Sequence, residues 1–143
     1  MNKTYIAQKP NYSKWYIIDA KNKNLGRLSS KIAKLLKGKN STSYTPYINN
    51  KIYIIIINSK SVKVTGKKLF QKTYKQHSGY PGGLRIKTLN HLLSRKPNII
   101  LEKSIKGMLP KGILGRQLFT QLKIYPDTEH PHKPQKPEII TLI

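Results

Sequence analysis

Glycine, proline and lysine crowd together in the stretch Lys106–Arg116, KGMLPKGILGR. That chemistry could cradle a phosphate. A phosphate loop needs a glycine, four residues, then Gly-Lys-Ser/Thr, so that backbone amides and one lysine surround the anion. Gly107 and Gly112 have the four-residue gap, but Ile113 stands where the lysine must be. Thr65-Gly-Lys-Lys68 has a Gly-Lys pair with no upstream glycine at the right distance, and no Gly-x-Gly-x-x-Gly follows a strand-like run. A nucleotide-dependent enzyme therefore lacks its loop. The stretch reads instead as a docking element. Met108, Leu109 and Leu114 would anchor it, Pro110 and the glycines would bend it, and Lys106, Lys111 and Arg116 would face a polyanion.

Other catalytic sets are equally thin. The five acids are Asp19, Glu102, Asp127, Glu129 and Glu138; no close pair ends a strand, so no general acid–base couple can be assembled. Asp19 reads as a turn or helix-capping acid. The histidines are His77, His91, His130 and His132. His130-Pro-His132 has no thiolate or carboxylate cluster beside it, so no metal is expected. No other cofactor is implied. There is no cysteine, which excludes disulfides and thiolate sites.

What remains is basic residues interleaved with aromatics. Lys67, Lys68, Lys72 and Lys75 surround Phe70 and Tyr74, and His77-Ser-Gly-Tyr-Pro-Gly-Gly83 follows. Glycines let backbone approach a sugar-phosphate chain, while lysines supply the attraction. The whole chain agrees: 28 Lys plus Arg against 5 Asp plus Glu give a formal charge of +23 over 143 residues. Self-repulsion at that charge calls for a polyanion. Nucleic acid is favoured over an anionic membrane, and folded RNA over DNA, because no recognition-helix or zinc-finger pattern occurs. The longest apolar run, Ile52–Ile57, is too short to span a bilayer.

These residues need elements to position them. Residues 1–14 are unpatterned and read as an arm. Trp15–Asp19 is a buried strand. Asn24 could cap a helix in which Leu25, Leu28, Ile32, Leu35 and Leu36 recur at helical spacing, ended by Gly38. Arg27, Lys31, Lys34 and Lys37 occupy its other face, which is either simply solvated or turned to RNA. Ile52–Asn58 is apolar on both faces, as in a covered parallel sheet. Ser61–Gly66 alternates like a short strand, and 66–83 reads as loop. Helices are expected over 88–95, 98–108 and 112–122, then a brief strand at 123–125. His91 falls in a helical pattern, with structural and contact roles both open. Beyond Pro126 there are prolines at 131, 134 and 137, so 126–143 is expected to lie extended on a partner. One α/β domain over 15–125 with a small, mostly parallel sheet results.

Seven collinear segments carry a resemblance. They are WYIIDA (15–20), LGRLSSKIAKLLKGK (25–39), YTPY (44–47), VKVTGKK (62–68), HSGYPGG (77–83), KGMLPKGILGRQLF (106–119) and LKIYPDTEHPHKPQ (122–135). Together they resemble the bacterial-type family of large-ribosomal-subunit protein thirteen. The resemblance implies a three-layer α/β/α fold with a four-stranded parallel sheet and no catalytic activity. It also implies early binding to large-subunit rRNA, with neighbouring large-subunit proteins as further partners and neither a membrane nor a small-molecule substrate. Carried over by position, the expected rRNA contacts are Lys67 and Lys68; His77, Gly79, Gly82 and Gly83; Lys106, Lys111, Gly112, Gly115 and Arg116; and His130 and His132. Arg27, Lys39 and Lys123 join them from the matching segments. After YTP the family usually has an acidic turn, whereas this chain reads Tyr47-Ile-Asn-Asn-Lys-Ile52; that loop should add attraction to phosphate. The alternative is a general nucleic-acid-binding protein outside the ribosome. All the basic residues except Arg27, Arg85, Arg95 and Arg116 are lysine, and Ile, Asn and Tyr abound. This AT-rich codon bias, with no targeting extension, suits a plastid stroma better than a bacterial cytoplasm.

Overall fold

The computed structural model describes residues 12–141, so residues 1–11 of the expected arm lie outside it. Strand β1 (Lys14–Asp19) and strand β2 (Ile52–Ile57) pair in parallel, from Lys14 opposite Ile52 to Asp19 opposite Ile57. Parallel neighbours need a crossover, and helix α1 (Leu25–Leu36) supplies it. Its apolar positions at helical spacing are all buried. Asn24 is the N-cap residue, though its side chain makes no capping bond. At the other end Gly38 adopts φ +73°. Its N–H donates to the Leu35 carbonyl (2.8 Å) and the Lys39 N–H to the Lys34 carbonyl (3.2 Å). That is a Schellman ending, which needs a residue tolerant of the left-handed region.

Strand β5 (Leu122–Ile124) pairs with β2, and β6 (Glu138–Ile139) with β1, giving a fully parallel sheet in the order β5-β2-β1-β6. Helices α3 (Leu89–Arg95), α4 (Pro97–Met108) and α5 (Ile113–Thr120) complete the helical side. Ile18, Ile54, Ile56 and Leu122 join Ile32 and Leu36 of α1 and Ile100, Leu101 and Ile105 of α4 in one apolar cluster. Each such side chain, fully buried, contributes about 1.5–3 kcal/mol. Alternation puts Trp15, Ile17, Tyr53 and Ile55 on the opposite face, where Trp15 stacks on Tyr53 with centroids 4.4 Å apart. The α/β sheet flanked by helices agrees with the expectation from the sequence.

Pro97 does not merely separate two helices. It occupies the first turn of α4, where its missing N–H costs nothing. The next residue, Asn98, ties three elements together: its Nδ2 donates to the Ile124 carbonyl (3.1 Å), and its Oδ1 accepts from the buried Ser59 hydroxyl.

Three expectations are corrected. Ser61–Gly66 is not a strand; a short 3-10 turn covers Ser59–Ser61, and one bridge joins Lys63 to Asn24. The alternation still holds for burial, with Val62 buried and Val64 half-buried, but only the backbone of Lys63 finds a parallel partner. The segment 66–83 is not a loop. It holds a single helical turn, α2 (Lys68–Gln71), and strand β3 (Thr73–His77), which pairs antiparallel with β4 (Leu84–Thr88). Leu69 and Tyr74 pack against the core and anchor this hairpin. Nor does the whole tail stay clear of the domain, because β6 is the edge strand of the main sheet. All four tail prolines precede it, so the N–H groups of 138–140 remain free to pair, and that of Ile140 donates to the Ile17 carbonyl (3.0 Å).

Candidate nucleic-acid interface

Among the described residues one ion pair forms, Lys60 with Asp127 (2.9 Å), and both partners are exposed. No other Lys or Arg among the described residues is paired with a carboxylate, and most of them are exposed. Asp19, one of the few acids, is occupied locally. Partial burial works to raise its pKa, but the amide of Asn58 (2.8 Å), the N–H of Lys21 (2.9 Å) and the charges of Lys21 and Lys23 outweigh that and hold it below the ordinary value. It is the turn acid the sequence suggested.

The sixteen expected contact residues fall on three parts of the fold rather than one. The first is the β3–β4 hairpin with the turn before it. Lys67 and Lys68 are exposed where α2 begins. His77 ends β3, and its Nδ1 accepts from the Gly79 N–H (3.0 Å). Gly79 (φ +92°) and Gly82 (φ +71°) turn the tip, Gly83 closes it against the Tyr80 carbonyl (2.9 Å), and Tyr80 is left 76% exposed. Exposed backbone and an exposed ring make this tip suited to a sugar-phosphate chain.

The second part joins the end of α1 to the glycine-rich stretch. Lys37 and Lys39 border a depression of about 170 Å³ that Pro110, Leu114 and Leu118 line from the other side. Lys111, Gly112 and Arg116 are exposed nearby in sequence, and Arg27 is exposed on α1. Lys106 lies with its ammonium 5.5 Å from the centre of the Phe119 ring. Two residues depart from expectation. Met108 is 40% exposed rather than anchoring, whereas Leu109 is buried. Gly115 is itself buried, and a Cβ there would fall 1.7 Å from the Pro110 carbonyl oxygen. Its place is in packing, with no surface to offer RNA.

The third part is the tail. Tyr125, His130 and His132 gather beside Trp15: His132 lies 5.3 Å from the Trp15 ring, and its Nε2 is 2.9 Å from the Tyr125 hydroxyl. Both histidines are half-buried and engaged within the chain, and Lys123 on β5 is half-buried as well. Burial first, then the charge of Lys123 and the neighbouring His130, push the His132 imidazole below its ordinary 6.5. A depressed imidazole pKa contributes stability that is present above 6.5 and is lost as pH falls through the folded value. Trp15 is the only tryptophan, so its fluorescence should report the cluster loosening on acidification, with a midpoint below 6.5. His132→Phe should remove that pH-dependent step; a midpoint at or above 6.5 would contradict the assignment.

The loop of residues 47–52 turns partly inward. Asn49 Oδ1 accepts from Gln121 Nε2 (3.0 Å), and the Asn50 side chain sits against Gly38. Lys51 alone is exposed there among residues 48–51. Sequence reasoning also left out Arg85, Lys87 and Lys103. The alternation in Leu84-Arg-Ile-Lys-Thr88 was the available signal, and it had weight only once a strand was recognised there.

The amino-acid sequence has known counterparts. The family model described as ribosomal protein L13 matches residues 13–131. The large ribosomal subunit protein uL13c of Gracilaria tenuistipitata var. liui is 76% identical over the whole of both chains. That of Porphyra purpurea is 55% identical over 96% of this chain and 97% of its own. The large ribosomal subunit protein uL13 of the Acaryochloris marina strain MBIC 11017 is 50% identical, covering 99% and 95% respectively. Matched along almost its full length by such relatives, the chain belongs to the ribosomal protein L13 family.

Proposed function

We propose that this chain is a structural protein of a plastid large ribosomal subunit, binding large-subunit rRNA early in assembly and resting against neighbouring large-subunit proteins. The observation that carries the reading is the charge: +23 overall, with a single ion pair among the described residues. So many uncompensated cations favour a partner with a regular array of phosphates. The relatives named uL13c support the plastid assignment, in line with the lysine-rich composition. Among the described residues no group of three metal-ligating side chains occurs, and no helix is long and apolar enough to cross a membrane.

Sedimentation of a lysate at moderate salt tests the reading. The chain is expected to run with large subunits and their precursors. A free pool with no subunit peak would overturn it and favour a general nucleic-acid-binding role.

A further inference from the structure

The inner face of the β3–β4 hairpin forms a cleft against α3 and α4. The register puts Tyr74 opposite Lys87 and Gln76 opposite Arg85. Period-two alternation turns these four to one face, and they line the cleft together with Lys103 of α4. Leu92 of α3 and Ile99 of α4 form its apolar wall. The Lys103 ammonium lies 5.0 Å from the centre of the Tyr74 ring, and that of Lys72 lies 5.6 Å from it. We propose that this cleft seats one phosphodiester group of an RNA strand, held by Arg85, Lys87 and Lys103 with the Gln76 amide as a further donor. The proposal rests on the RNA-binding reading above and assigns it a particular pocket.

Three features carry it. First, three cations share a recess with no ion-pair partner, since the one ion pair among the described residues lies elsewhere. All three are exposed, yet like charges so gathered repel one another unless an anion sits between them. Second, the donor set matches phosphate. The arginine fork meets two oxygens at once, and the lysines add point charges. Burial raises the Tyr74 pKa, so its hydroxyl stays a donor across the neutral range. Third, the size suits a group rather than a free ligand. The cleft has a volume of about 140 Å³, below the roughly 300–1,000 Å³ of small-molecule sites. A phosphate that enters while its strand continues outside fits this limit. The exposed glycine tip of the same hairpin leaves the strand an open path.

The test uses the full chain, a large-subunit rRNA fragment and hydroxyl-radical footprinting of the RNA backbone. The triple variant Arg85→Gln, Lys87→Gln, Lys103→Gln is expected to lose protection over one short stretch and keep the remainder. Its slope of log affinity against log salt should flatten by about 0.7–0.9, the value of one phosphate. An unchanged footprint, or a uniform loss everywhere, would overturn the proposal. Arg85→Gln alone, on an exposed strand, should weaken the same stretch and serves if the triple variant does not fold. Saturable binding of inorganic phosphate that leaves the footprint unaltered would make this a free-anion site and refute the RNA assignment. If the unaltered chain gives no footprint at all, the RNA-binding reading itself has failed.

Discussion

Raising monovalent salt from about 50 to about 200 mM is expected to weaken binding to a large-subunit rRNA fragment by roughly 10³–10⁵-fold, for some six to ten phosphate contacts. Each neutralised phosphate releases condensed counterions, and that gain shrinks as bulk salt rises. The structure argues for many such contacts. Its acids are few, and among the described residues only Lys60 is paired. The basic groups lie on the hairpin, on α1 and in the glycine-rich stretch rather than in one deep pocket. A filter-binding or fluorescence titration at several salt concentrations measures the slope. A flat response would mean that base stacking or apolar contacts dominate, and the electrostatic account would fall.

Two glycines eight residues apart are expected to respond to alanine in opposite directions. Gly115 belongs to α5, and a Cβ there would meet the Pro110 carbonyl oxygen at 1.7 Å and its carbon at 2.6 Å. These are backbone atoms, so no rotamer change relieves the clash. Gly115→Ala should therefore destabilise the chain by about 1–3 kcal/mol or more, as overpacked cores do. Gly107 lies within α4, where a Cβ would meet nothing within 4 Å. Gly107→Ala removes unfolded-chain freedom at no steric cost and should stabilise by about 0.5–1 kcal/mol. Urea denaturation of both variants decides the matter. Equal and small effects would mean that the loop before α5 yields easily, and that Gly115 is no packing residue.

The outcome at Gly115 bears on how motifs are read. Within KGMLPKGILGR the glycines look alike as letters, yet Gly107 lies in a helix, Gly112 precedes one and Gly115 touches a carbonyl. Only the packing of α5 on its preceding loop separates them. His130 and His132 teach the same lesson: as letters they suit RNA, and in the fold they contact Trp15 and Tyr125.

What the sequence determined by itself was whatever short-range pattern encodes. Helical spacing located α1, unbroken apolar runs located β1 and β2, and charge pointed to a polyanion as partner. The missing lysine after Gly112 disposed of a phosphate loop. Tertiary structure decided the rest, because it depended on contacts far apart in the chain. The β3–β4 hairpin alternates apolar with polar residues only in Leu84–Thr88, with Leu84 and Ile86 exposed, and holds its place through Leu69 and Tyr74 on the core. Strand β6 exists because 138–140 reach the free edge of β1, more than a hundred residues earlier. The cleft of Arg85, Lys87 and Lys103 arises only where that hairpin meets α4. A side chain's neighbours across such distances are set by packing free energy summed over the whole core, which no local window of residues contains.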